Sequence, residues 1–101
     1  MNQYSLMLYS REECCLCKAL ESKINDLDLS TLEPKVDFLV VDIDDKQLDA
    51  KIYQQYTYEV PVLVLKENRS QDKKIKLPRV PPRLKNESLL FWLQKILTQL
   101  I

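Results

Sequence analysis

Three cysteines fall within four positions of this 101-residue chain, at Cys14, Cys15 and Cys17. A disulfide framework would spread its cysteines to staple distant segments, which this cluster cannot do. It reads instead as a site for redox or metal chemistry. His is absent, which removes the commonest general base and the commonest metal ligand. Any chemistry therefore comes from Cys, Lys, Tyr or carboxylates.

Cys14 and Cys17 form a C-x-x-C pair at the entrance to a helix. That spacing suits thiol–disulfide exchange. A thiol at a helix entrance sees unpaired backbone N–H groups and the positive end of the dipole, which favour its thiolate. A second thiol one turn away can approach the first and resolve a mixed disulfide formed on it. Arg11 and Lys18 favour the thiolate, whereas Glu12 and Glu13 oppose it. Other readings stand beside this one. The three cysteines could be small buried hydrophobes. Two thiolates could hold copper, or a cluster bridged between two chains. A closed zinc site needs four ligands, and neither a second Cys pair nor a His is available. Cys15 reads as a bystander, with a disulfide from it to a neighbouring cysteine as the alternative.

The elements that must position these thiols follow from apolar patterning. Residues 4–9 (YSLMLY) form a short strand suited to burial on both faces. Ser10 and Glu13 have capping-box spacing, so a helix is expected to begin there. Its stripe is Leu16, Leu20, Ile24 and Leu27, and it ends near residues 28–31, ahead of Pro34. Residues 36–41 (VDFLVV) are a second strand. Asp44 and Gln47 are a capping pair that opens a second helix carrying Leu48, Ile52 and Tyr56, with Tyr53 beside them. That role also explains Asp42, Asp44 and Asp45 better than a metal site does. Residues 60–65 (VPVLVL) make a third strand headed by a proline. A polar turn over 66–74 leads to a short fourth strand or edge segment at 75–80. After Pro81 and Pro82, Asn86 caps a last helix with Leu89, Leu93, Ile96, Leu97 and Leu100, and with Phe91 and Trp92 adding bulk.

The order is β-α-β-α-β-β-α in one domain over residues 1–101. The first two strands pair in parallel through a crossover and the last two form a hairpin. Glycine is absent, which excludes phosphate-cradling and dinucleotide-binding loops and leaves positive-φ positions to Asn or Asp. Fifteen basic and fifteen acidic side chains cancel, against the basic excess of a nucleic-acid binder. The balance is nevertheless uneven, −6 over residues 1–50 and +6 over residues 51–101. No apolar run approaches the ~20 residues of a membrane helix and no targeting segment stands out, so a cytoplasmic monomer is the expectation.

The segment Tyr9-Ser10-Arg11-Glu12-Glu13-Cys14-Cys15-Leu16-Cys17 resembles the active-site stretch of glutaredoxins, where an aromatic-Ser-basic start leads into C-x-x-C. Val41-Asp42-Ile43-Asp44, Tyr56 and Val60-Pro61-Val62-Leu63 are similar to the family's later landmarks. The match runs over about residues 4–97 and is nearest to the small glutaredoxin-like proteins of bacteria. The resemblance implies a thioredoxin-like α/β fold, a four-stranded mixed sheet flanked by helices. It implies Cys14 as nucleophile and Cys17 as resolving thiol. It also implies a cis Val60–Pro61 bond lying against them, with the N–H and C=O of Val60 offered to an extended peptide or to glutathione. One landmark is missing. The Gly-Gly and acidic loop that holds glutathione corresponds here to residues 77–86, which contain no glycine.

The strand directions place the 66–74 turn away from the cysteines and return the chain towards them. Arg79, Arg83 and Lys85 are thus expected near the thiols, where they would attract an acidic partner or the carboxylates of glutathione. Substrate-binding candidates are therefore Val60, Pro61, Arg79 and Arg83. The expected activity is reduction of protein or mixed disulfides, with no resident cofactor and no metal. Glutathione is a candidate electron donor, and the partners are a disulfide-bearing protein or glutathione mixed disulfide and a thiol reductant. The alternatives are a thiolate metal-handling module and a non-catalytic interaction module.

Overall fold

The computed structural model describes residues 2–69, 73–81 and 83–100 of the chain. Pro82 and part of the expected 66–74 turn lie outside those residues. The elements are β1 (Tyr4–Ser10), α1 (Cys15–Asn25), a 3₁₀ turn (Leu29–Thr31), β2 (Val36–Asp42), α2 (Ala50–Tyr56), β3 (Val62–Glu67), β4 (Lys74–Lys76) and α3 (Asn86–Leu100). The four strands form one sheet in the order β2-β1-β3-β4. β1 runs parallel to β2 and antiparallel to β3, and β3 is antiparallel to β4. This is a mixed sheet with helices on both faces, the thioredoxin-like architecture.

The side-chain period of two divides the core in two. Leu6, Leu8, Leu63 and Leu65 point to one face and pack with Leu20 and Ile24 of α1 and Leu89, Leu93 and Leu97 of α3. Tyr9, Val62 and Val64 point to the other and pack with Ile43 and Tyr56, flanked by Leu48 and Ile52. β1 and β3 are central and apolar on both faces, and β2 and β4 are the edges.

Several boundaries differ from the sequence expectation for local physical reasons. Ser10 closes β1 and is buried, so it does not cap α1. The cap is Cys14, in extended conformation, four residues later. The buried stripe of α1 is consequently Cys17, Leu20 and Ile24, while Leu16 is 60% exposed. The helix ends at Asn25, and the next turn is a separate 3₁₀ segment capped by Asp28. α2 likewise starts late. The Asp44 N–H donates to Asp42 and the Gln47 N–H to Asp45, two local turns that unwind the chain until Asp49 caps α2 through the Lys51 N–H. β3 starts after Pro61, and the fourth strand is three residues long, not six. Asn86 is the first residue of α3, because the Lys85 carbonyl already accepts the Leu89 N–H. The lack of glycine is met without left-handed Asn or Asp: no described residue has positive φ, and α1 and α2 both run out in right-handed helical backbone.

Candidate redox site

β1 ends at Ser10, and four residues later Cys14 opens α1. Its backbone is fixed from both sides: the Cys14 N–H donates to the Arg11 carbonyl and its carbonyl accepts from the Lys18 N–H, each at 3.1 Å. Its Sγ accepts from the Cys17 N–H at 3.1 Å, satisfying one of the orphan donors of the helix start. Cys14 and Cys17 are disulfide-bonded, with Cα atoms 5.2 Å apart. Cys14 is partly exposed and Cys17 is fully buried on the inner face of α1. Cys14 is therefore the more accessible residue of the pair. Cys15 is exposed and free. Among the described residues no three of His, Cys, Asp or Glu are grouped to hold a metal ion.

Arg11, expected from its position to favour the Cys14 thiolate, makes its hydrogen bonds elsewhere. It reaches across to the β2–α2 loop and the end of α2. Nε and Nη2 donate to both carboxylate oxygens of Asp44, at 2.8 and 3.0 Å. Nη1 and Nη2 donate to the carbonyl and hydroxyl of Thr57, at 3.1 and 2.7 Å. The guanidinium thus ties the cysteine loop to both the β2–α2 connection and the far end of α2. It holds the Asp44 carboxyl below its usual range, chiefly through these hydrogen bonds, and the guanidinium itself is raised. The expected capping residue Asp44 is thereby spent on an ion pair. This clamp was not legible beforehand, because its members are 33 and 46 residues apart.

Beneath the clamp, Tyr9 and Tyr56 stack with ring centroids 5.2 Å apart. Burial, and then the neighbouring Tyr56, raise the Tyr9 hydroxyl above its ordinary value. Lys76 of β4 lies 5.7 Å over the Tyr56 ring and ion-pairs with Glu59. The segment 56–59 is therefore held from three sides, and it leads directly into Val60 and Pro61.

The peptide bonds before Pro34 and Pro61 are cis. The Val60 N–H donates to the Tyr56 carbonyl at 3.2 Å, so it is not open to a partner. Only the Val60 carbonyl is without a hydrogen bond among the described residues, which corrects the expectation of two free groups.

A groove of about 860 Å³ takes in Leu16, the residue before Cys17, although none of the cysteines lines it. One wall is α1, through Leu16, Ala19 and Leu20, and the other is the segment after β4, through Leu77, Pro78, Arg79 and Val80. Pro61 lines it as well. Of the basic residues expected near the thiols, Arg79 is in this groove, whereas Arg83 and Lys85 are exposed and do not line it. Leu84, between them in sequence, does line the groove, while their own side chains are exposed away from it. Leu16 was missed as a surface residue because its spacing imitates a core stripe.

The sequence pattern of the Glutaredoxin-like domain family (DUF836) matches residues 5–94. The chain belongs to this family. Solved structures agree on the fold. A protein of X. campestris, target XcR50, is 25% identical over 90% of this chain and 97% of its own, with a TM-score of 0.50. An asparagine-to-glutamine mutant of thioredoxin from Halobacterium salinarum is 21% identical, with a TM-score of 0.59 over 94% of this chain and 75% of its own. Oxidized thioredoxin O2 of Arabidopsis thaliana is 22% identical, with a TM-score of 0.56 over 98% and 76%. No curated protein sequence matches the chain significantly. The fold, the family and a Cys14–Cys17 pair at disulfide distance together point to a thiol redox protein. No described helix is long and apolar enough to cross a membrane.

Proposed function

We propose that this glutaredoxin-like domain is a dithiol–disulfide oxidoreductase that reduces disulfides in apolar polypeptide segments. The observation that carries the reading is the asymmetry of the pair: Cys14 is partly exposed at the helix cap, Cys17 is buried one turn away, and Leu16, next to Cys17 in sequence, lines a groove. In the reduced protein the Cys14 thiolate attacks one sulfur of a substrate disulfide and displaces the other as a thiolate. The Cys17 thiolate then attacks Cys14 Sγ, forming the intramolecular disulfide and releasing the second substrate thiol. Two electrons pass to the substrate, and an external thiol reductant restores the pair. The Cys17 N–H, which meets Cys14 Sγ in the oxidised pair, would stabilise the charge of the Cys14 thiolate that opens this sequence.

The groove supports the choice of substrate. Its volume is within the ~300–1,000 Å³ of ordinary ligand sites, and its walls are mainly apolar, with Lys23, Glu59, Lys76 and Arg79 as the charged residues. Glu59 and Lys76 neutralise each other there, and Lys23 and Arg79 also line the groove, a cationic lining suited to a carboxylate. A glutathione mixed disulfide would use the same surface, without a Gly-Gly loop to hold its γ-glutamyl end. A reducing compartment such as the cytoplasm would supply the reductant. Insulin reduction tests the reading, run in parallel with glutathione and its reductase and with thioredoxin reductase. Turnover with either source supports it. No turnover with either, together with stoichiometric metal on the reduced protein, would replace it with the metal-handling reading.

A further inference from the structure

The two edges of the sheet are built differently. Edge strands expose unpaired backbone groups, and proteins normally blunt them by shortness or by lysines. β4 follows that rule, with three residues of which two are lysines. β2 does not. It is seven residues long, with sequence VDFLVVD, and Leu39 and Val40 at its centre are 50% and 44% exposed. The Asp37 carboxylate is occupied by Asn2, so it does not guard the edge.

The direction of the free backbone groups can be read from one bond. The Ile43 N–H donates to the Ser10 carbonyl of β1 at 2.8 Å. By the two-residue alternation, residues 37, 39 and 41 turn their N–H and C=O towards β1, and residues 36, 38 and 40 turn theirs outward. An antiparallel partner strand would find residues 38 and 40 ready to pair, plus the Asp42 N–H, while Val36 at the start of the strand is buried. The Asp42 carbonyl is already taken by Asp45.

We propose that β2 pairs with β2 of a second copy of this chain, giving a two-fold dimer with a continuous eight-stranded sheet. Among antiparallel registers, the one that overlaps all of residues 36–42 puts Leu39 on the axis. Leu39 then faces Leu39 of the partner subunit as a non-hydrogen-bonded pair, where side chains come closest. Phe38 faces Val40 of the partner subunit, and Asp37 and Asp42 face the partner's Val41 and the partner's Val36. No carboxylate opposes a carboxylate, and the two most exposed apolar residues of the strand become covered. The contact is isologous and closes at two copies. It lies at the opposite edge of the sheet from β4 and the groove wall that follows it. Both redox sites therefore stay open, and the dimer is independent of the redox reading. It replaces the monomer expected from sequence.

Sedimentation equilibrium of the reduced full chain, from about 1 to about 200 µM, tests the proposal; a thiol reductant excludes bridges through Cys15. The expected mass is twice the 12.0 kDa of the chain. Leu39→Lys should weaken the dimer at least 100-fold. Val40→Pro should do the same, because its N–H points away from β1 and a proline there spares the monomer's ladder. Ile75→Lys, on the opposite edge, should leave the mass unchanged. A 12.0 kDa species throughout the range, a dimer that survives both β2 substitutions, or an open-ended polymer would overturn the proposal.

Discussion

Cys14 has two roles that a pair of substitutions separates. It is the more accessible residue of the pair, and its Sγ caps α1 by accepting the Cys17 N–H at 3.1 Å. Serine keeps an acceptor at that place and alanine removes it. Losing an N-cap side chain to alanine costs typically ~1 kcal/mol, within a range of about 0.5–2. For a domain near this size, 1 kcal/mol moves the melting temperature by roughly 4–8 °C. In reducing buffer, Cys14→Ala should therefore melt about 4–8 °C below Cys14→Ser. Calorimetry reads the difference, with the reduced wild type as reference. Both variants should have lost disulfide exchange, so activity cannot account for the gap. If the two melt within about a degree of each other, the sulfur is not capping the helix and the positioning of Cys14 argued above is wrong.

Three further outcomes follow from the same geometry. Asp44 is held below its ordinary 3.8 by Arg11; such a carboxylate adds stability above its unfolded value and loses it as pH falls through the folded one. The melting-temperature advantage of the wild type over Asp44→Asn should therefore shrink between about pH 5 and about pH 2, and an unchanged gap would mean the clamp is not held in solution. Leu93→Ala removes a fully buried side chain and should cost about 2–5 kcal/mol by denaturant unfolding, whereas Phe91→Ser, at a site 73% exposed, should stay within about 0.5. Arg79→Gln should slow reduction of an acidic peptide disulfide and flatten its salt dependence, while Arg83→Gln should do little; equal effects would mean that only overall charge matters.

Periodicity made the fold legible, and its failures share one cause. Strands β1 and β3 and helix α3 carry long apolar patterns that tertiary packing obeys. Helix starts were misplaced wherever several candidate caps followed one another. The capping pairs expected at Ser10 and Asp44 give way to Cys14 at α1 and Asp49 at α2. The choice is made by contacts distant in sequence: β1 claims Ser10, and Arg11 claims Asp44. The same shift moved Leu16 out of the core and Cys17 into it, which creates the asymmetry between the two thiols. The C-x-x-C pair was legible because its residue type and spacing are local, whereas Pro61 was marked out as a site residue only through the resemblance to glutaredoxins. The Arg11 clamp, the engagement of the Val60 N–H and the departure of Arg83 from the groove depend on loop paths, which a single sequence does not encode in any period.

The central claim is that Cys14 takes the substrate and Cys17 releases it. Incubating reduced Cys17→Ser with a peptide disulfide and mapping the adduct by mass spectrometry tests it most directly. The expected result is a stable mixed disulfide on Cys14 that the wild-type protein does not accumulate. An adduct carried by Cys15, or none at all while the wild type turns over the same peptide, would contradict the assignment.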